Sequence, residues 1–260
     1  MDKLMLIMII AALCLPGIAA MGFATVRMLA GKPDNTMSSG AIFASSAVPT
    51  LAIVLAGAAA GVYWGPKVGI RDAFLEGLAQ GDWLWANLLD QLGAGALSGT
   101  LCALGWLAAY YGYVRKRLDS ETLRVTESLR NQTGLWTRLT SGGIVEEVIF
   151  RWGLMVALAW GLSWLSLSQS ASLGIALLVS GFVFGLAHLP GNLQEGAKPT
   201  PLFVWAAILG NLWVSLFCGY VLYQYGLFSA MVVHILFHVW WYPLDTVFYR
   251  KLQSAEGMKG

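Results

Sequence analysis

Long apolar runs separated by short polar stretches organise the chain from end to end. Seven of them approach the roughly 20 residues that a helix needs to cross a hydrocarbon core about 30 Å thick. They cover residues 4–22, 41–64, 93–114, 142–165, 173–188, 202–222 and 227–248. The fifth is short, and residues 71–92, ahead of the third, read as an interfacial helix or as an extension of that span. The first run carries Gly17, Ala19 and Ala20 where a signal peptide would be cleaved. Its apolar character continues through residues 21–26, which favours a retained span. The pattern predicts an all-α, polytopic transmembrane bundle of about seven spans. Residues 1–140 supply the N-terminal spans and a polar loop, residues 141–260 supply the remaining spans, and the whole is one integrated membrane domain.

Composition strengthens this picture. Apolar residues make up 57% of the 260 positions and charged residues 12%, far from the roughly 25% charged content of soluble domains. The placement of Lys and Arg sets an orientation. Arg115, Lys116, Arg117, Arg124, Arg130 and Arg138 crowd the loop between the third and fourth spans, which is therefore expected in the cytosol. Counting spans outward puts Arg27, Lys32, Lys198, Arg250, Lys251 and Lys259 on the same side, with only Lys3, Lys67 and Arg71 opposite. The N-terminus is then outside and the C-terminus inside, in a multi-pass protein expected in a prokaryotic cell membrane. In the basic loop Leu118, Val125 and Leu129 share a helical face, so the loop either lies on an anionic lipid surface or is an ordinary connector. No nucleic-acid footprint is present. Cys14, Cys102 and Cys218 all fall in apolar runs without metal-ligand spacing and read as small buried residues. Glycines recur every four residues at 57, 61 and 65, and at 181 and 185, a spacing that lets another helix backbone approach.

Ionisable groups inside the spans cost several kcal/mol and mark the place to look for function. They are Glu146, Glu147, Arg151, His188, His234, His238 and, near a span end, Asp245, and they include all three histidines of the chain. Glu147 and Arg151 are four apart and pair on one helix face. Glu146 is turned by about 100° from its neighbour and remains available as a base. His234 and His238, also four apart, face the same way. Glu146, His188, His234 and His238 are thus expected to share a polar chamber open to the cytosol.

Three segments resemble one family. Glu146-Glu147-Val148-Ile149-Phe150-Arg151 matches the Glu-Glu-x-x-x-Arg signature of the CAAX prenyl protease and bacteriocin-processing family. Phe184-Gly185-Leu186-Ala187-His188 matches its Phe-x-x-x-His motif, and His234-Ile235-Leu236-Phe237-His238 occupies its third motif. The resemblance runs from Gly142 to about Asp245. It implies an intramembrane endopeptidase in which Glu146 activates water as general base, His188 holds that water, and His234 with the residue at 238 stabilises the oxyanion. Glu147, Arg151 and Phe184 then support these groups. The implied substrate is a peptide or protein in the bilayer, prenylated or bearing a leader, and no cofactor is required.

Two positions depart from the family pattern. His238 stands where Asn or Asp is usual, and Trp152 where a small residue is common. With His238, the histidines and Glu146 also compose a chemically sensible zinc set, His188, His234, His238 and Glu146, so a zinc-dependent peptidase is the alternative enzyme. A non-enzymatic immunity or scaffold protein, or a proton- or lipid-binding one, is the alternative outside enzymology.

Overall fold

A computed structural model describes the backbone of residues 2–32 and 35–257; the tail lysine Lys259 lies outside the described residues. Among the described residues every element is helical. Helix α1 (Lys3–Leu29) starts at Asp2, whose carboxylate accepts the Leu4 and Met5 amides. It is followed by α2 (Ser39–Trp64), capped by Ser38, and by a tight turn over Gly65–Val68. The short α3 (Ala73–Leu78) leads to α4 (Trp85–Ala109), which widens into a π-helical turn at Tyr110–Val114. Helix α5 (Ser120–Thr137) begins on the Asp119 cap and is broken at Gly134, where φ is 73°, a conformation open to glycine without steric cost. The chain then runs through wide-turned stretches at Arg138–Val145 and Glu147–Met155 into α6 (Val156–Ser163). Helix α7 (Gln169–Ala187), the single-turn α8 (Leu189–Gln194), α9 (Pro201–Tyr225) and α10 (Leu227–Gly257) complete it.

Among the described residues, six helical segments are long and apolar enough to cross a membrane: Lys3–Leu29, Ser39–Val68, Trp85–Val114, Gln169–Gln194, Pro201–Tyr225 and Leu227–Ser254. The fourth span expected from sequence is the helical stretch 138–163. Its charge content, Arg138, Glu146, Glu147 and Arg151, sets it apart from the apolar six. The third span is longer than the apolar run indicated. Residues 71–92 resolve into α3 and the first turns of α4, so the segment extends the third span from Trp85 onward. The short fifth run gains four residues at its start, because Ser168 accepts the Ala171 amide and begins the helix there.

The two ends of the bundle are chemically distinct. At one end, loops distant in sequence are tied by ion pairs: Lys32 with Glu195, Lys198 with Glu121, Arg115 with Glu127, and Arg130 and Arg138 with Asp245. Lys32 ties the α1–α2 connection to the α7–α9 connection, Lys198 ties that connection to α5, Arg115 ties the α4–α5 connection to α5, and Arg130 and Arg138 tie α5 and the stretch after it to α10; these are the same segments that the positive-inside pattern groups together. At the other end, Asp72 accepts the Leu75 and Phe228 amides and the Gln91 side chain, and Gln169 donates to Val68. The apolar face of α5 is not on the outside: Val125, with Leu118 and Leu129, packs onto Ala197, Phe203, Leu189 and Val204. The basic segment is therefore a cover packed on the bundle, and its apolar face is not free to lie on lipid.

Glycine spacing accounts for the closest helix contacts. A Cβ at Gly57 would sit 2.9 Å from the Val148 carbonyl oxygen, and one at Gly61 would fall inside the indole of Trp152. The bulky residue at 152 is accommodated by the absence of a side chain on the facing α2. At Gly185 an added Cβ would meet the Ile208 backbone of α9 at 2.8 Å.

Candidate active site

Glu146 lies between the two wide-turned stretches Arg138–Val145 and Glu147–Met155. Insertions of this kind re-aim side chains and are common at functional sites. Just before it, Gly142 and Gly143 open the way for α10: a Cβ at Gly142 would lie 2.7 Å from Nε2 of His238, and one at Gly143 would run into Cγ1 of Ile235. That close approach carries His234 and His238 up to the Glu146 helix.

The resulting geometry is compact. Nε2 of His188 is 4.0 Å from Oε1 of Glu146, and Nε2 of His234 is 3.9 Å from Oε2. Both separations exceed a direct hydrogen bond. The far nitrogens are engaged. Nδ1 of His188 donates to the Phe184 carbonyl at 2.9 Å, and Nδ1 of His234 lies 2.6 Å from Oε1 of Glu147. A carbonyl and an ionised carboxylate can only accept, so in the neutral rings the hydrogen sits on Nδ1 and the Nε2 lone pair points toward Glu146. His238 stacks on His234 with ring centroids 5.0 Å apart, and its Nδ1 is buried without a hydrogen-bond partner.

A second layer sits beneath. Glu147 is fully buried and lies 3.4 Å from Nη1 of Arg151. Arg151 donates through Nη2 to Ser215, and Ser215 donates to the Asn211 carbonyl. Its guanidinium also lies over the Phe184 ring, 4.2 Å from the centroid, and the same ring contacts His188 edge-on at 4.6 Å. Phe184 is thus the apolar floor on which the two motifs meet.

Glu146, His188, His234 and His238 all line one cavity of about 330 Å³. Its walls include Trp106, Tyr110, Phe203 and Trp241, and Arg130 and Arg138 also line it. Sequence reasoning gave the four-residue constellation and the Glu147–Arg151 pair. It missed the bond between Glu147 and His234, 87 residues apart in sequence, and it read Arg130 and Arg138 only as loop charges. For the zinc set, donors on a tetrahedral zinc with bonds near 2.1 Å stand about 3.4 Å apart, closer than the Glu146–histidine separations here. Among the described residues, the one trio of ligand-type atoms all within 4.8 Å of each other is Glu147, Cys218 and His234. In that trio the Glu147 oxygen is already bonded to His234.

A family model described as Type II CAAX prenyl endopeptidase Rce1-like matches residues 133–240, the stretch that holds Glu146, Glu147, Arg151, Phe184, His188, His234 and His238. No curated protein and no solved structure matches the chain.

Proposed function

Through residues 133–240 this chain belongs with the Rce1-like type II CAAX prenyl endopeptidases, a membrane-embedded peptidase, and from that premise we propose that it cleaves its substrate with a water activated by Glu146. The observation that carries this reading is the pair of gaps around one carboxylate, 4.0 Å to His188 and 3.9 Å to His234. Two hydrogen bonds of about 2.8 Å meeting near a right angle at one water oxygen span about 4 Å. A water between Glu146 and His188 would give one hydrogen to the carboxylate and the other to the Nε2 lone pair, leaving its own lone pairs directed at a substrate carbonyl. Glu146 then takes the proton as the oxygen attacks and returns it to the leaving amine.

The histidines of α10 have the complementary task. With its Nδ1 hydrogen committed to Glu147, His234 donates from Nε2 only as imidazolium, and the Glu147 carboxylate stabilises that cation. His234 and the ring of His238 beside it would hold the oxyanion of the tetrahedral intermediate. In a water-poor chamber such donors are worth a few kcal/mol each. No metal is required for this scheme. The substrate is a peptide or protein whose cleavage site carries an apolar group, a prenyl chain or an apolar leader segment, reaching the chamber from the cytosolic side of a prokaryotic cell membrane.

The deciding experiment is cleavage of an S-farnesyl peptide and of an apolar leader peptide by the purified full chain in bilayer nanodiscs, read by mass spectrometry. Hydrolysis by the wild type and its loss in Glu146→Gln are expected. Equal hydrolysis by both proteins would remove Glu146 from the mechanism.

A further inference from the structure

A second cavity, of about 170 Å³, opens between the Gly65–Val68 turn, the end of α6 and the start of α7. It lies at the end of the bundle opposite the ion-paired basic loops, and its polar lining is Lys67, Ser163, Gln169 and Ser172. Lys67 is the one charged side chain among these, and among the described residues no carboxylate pairs with it. Of the three basic residues at this end, Arg71 is paired with Glu76, Lys3 lies over the Tyr63 ring, and Lys67 lies 5.3 Å from the centroid of the Trp160 ring. An ammonium is thus held beside the cavity without a counter-charge.

The opposite wall supplies uncharged donors. Ser168 caps α7, and its hydroxyl and carbonyl accept the Ala171 and Ser172 amides. The amides of Gln169 and Ser170, ahead of them, find no acceptor among the described residues, as expected of the first turn of a helix. Gln169 donates its Nε2 hydrogen to the Val68 carbonyl, which fixes the turn that carries Lys67 against α7. Ser172 is 1% exposed, and its hydroxyl has no hydrogen-bond partner. Helical side chains lean toward the start of their helix, so this hydroxyl is aimed back at the first turn and into the cavity. Leaving it unpaired is costly.

We propose that this cavity is a binding site for a phosphate group. A helix N-terminus, a point-charge ammonium and a buried hydroxyl together match that anion. The volume is below the roughly 300–1,000 Å³ of pockets that enclose a drug-sized ligand, which suits a headgroup or a small ion. Its surroundings favour a phospholipid headgroup as the source. Trp160 stacks on Trp64 at 4.5 Å and meets Trp164 edge-on at 4.7 Å, and Trp164 is 71% exposed. Indole rings gather at the headgroup level of a bilayer.

The test is native mass spectrometry of the delipidated full chain in a neutral detergent, titrated with dioleoylphosphatidylglycerol and with dioleoylglycerol, which has the same acyl chains and no phosphate. The phosphate-bearing lipid is expected to bind at least about tenfold more tightly. Lys67→Gln is expected to weaken its tightest adduct by about tenfold, the size of one lost charge-assisted bond. Lys67 is exposed, so that variant keeps the fold. Ser172→Ala removes only the unpaired hydroxyl and should weaken the same adduct. Displacement of the lipid by inorganic phosphate, but not by chloride at equal ionic strength, would support a site that also takes the free ion. Resistance to displacement would support a site for the headgroup. Equal retention of the two lipids, or a tightest phosphatidylglycerol adduct unchanged in Lys67→Gln, overturns the proposal.

Discussion

Nδ1 of His234 lies 2.6 Å from Oε1 of Glu147, and that oxygen is also the one 3.4 Å from Nη1 of Arg151. One buried carboxylate therefore serves two cations or potential cations at once, fixing a helix-internal arginine and orienting a histidine on α10. Glu147 is a positioning residue with two separable tasks.

Those tasks can be pulled apart. Glu147→Gln leaves Arg151 buried against a neutral amide, and breaking a buried pair costs about 3–5 kcal/mol, so thermal stability and activity should both fall. In Glu147→Gln with Arg151→Gln the uncompensated charge is gone, and stability should recover in large part. Activity should not, because His234 still lacks its carboxylate. Thermal unfolding beside peptide turnover reads the two effects, and recovery of both together would reduce Glu147 to a purely structural partner of Arg151.

Glu146 should behave differently from its neighbour. Its side chain faces the cavity with 22% of its surface exposed, whereas Glu147 is wholly buried. Glu146→Gln keeps shape and loses the base, so membrane insertion and melting temperature should stay near those of the wild type. Peptidase activity should drop by at least about 100-fold, within the range for loss of a general base. A folded Glu146→Gln protein with full turnover would contradict the assignment.

The sequence made some of this legible and hid the rest for physical reasons. Glu147 and Arg151 are four apart, and helix periodicity alone puts them together. The gathering of Glu146, His188, His234 and His238 in one cavity followed from the cost of placing titratable groups at membrane depth. The bond from His234 to Glu147 carried no such signal, because helix period says nothing about which face of α10 meets which face of a helix 87 residues earlier. The close contacts that decide it, at Gly142 and Gly143, are absences of side chain. The α5 segment was ambiguous in a similar way: an apolar stripe of Leu118, Val125 and Leu129 suits lipid or protein equally, and only the position of Phe203 and Ala197 decides between them.

Orientation is the next test. The ion pairs that join Lys32, Lys198, Arg115, Arg130 and Arg138 to their partners gather the basic loops at one end of the bundle, and the positive-inside rule places that end in the cytosol. Ser120 and Ser254 are both exposed there. Single cysteines at these positions, in a chain lacking the buried Cys14, Cys102 and Cys218, should resist a membrane-impermeant thiol reagent applied to intact cells and react after lysis. Labelling of either from outside would invert the topology.

His238 bears most directly on the chemistry, because its ring stacks on His234 at 5.0 Å and its Nδ1 has no partner. As a hydrogen-bond donor to the oxyanion it should be replaceable by Asn, which carries an N–H at a similar reach. His238→Asn should keep substantial turnover, while His238→Ala should lose about 2–4 kcal/mol of transition-state stabilisation. A zinc site built on His188, His234 and His238 predicts a different pattern. Asn is a poor zinc ligand, so both substitutions would then abolish activity, and a strong chelator would inactivate the wild type until zinc was restored. Turnover of the three proteins with and without chelator, alongside metal analysis of the purified wild type, separates the two. The expected outcome is an active His238→Asn enzyme indifferent to chelation. A folded, inactive His238→Asn together with stoichiometric zinc in the wild type would replace the hydrogen-bonding mechanism with a metal-dependent one.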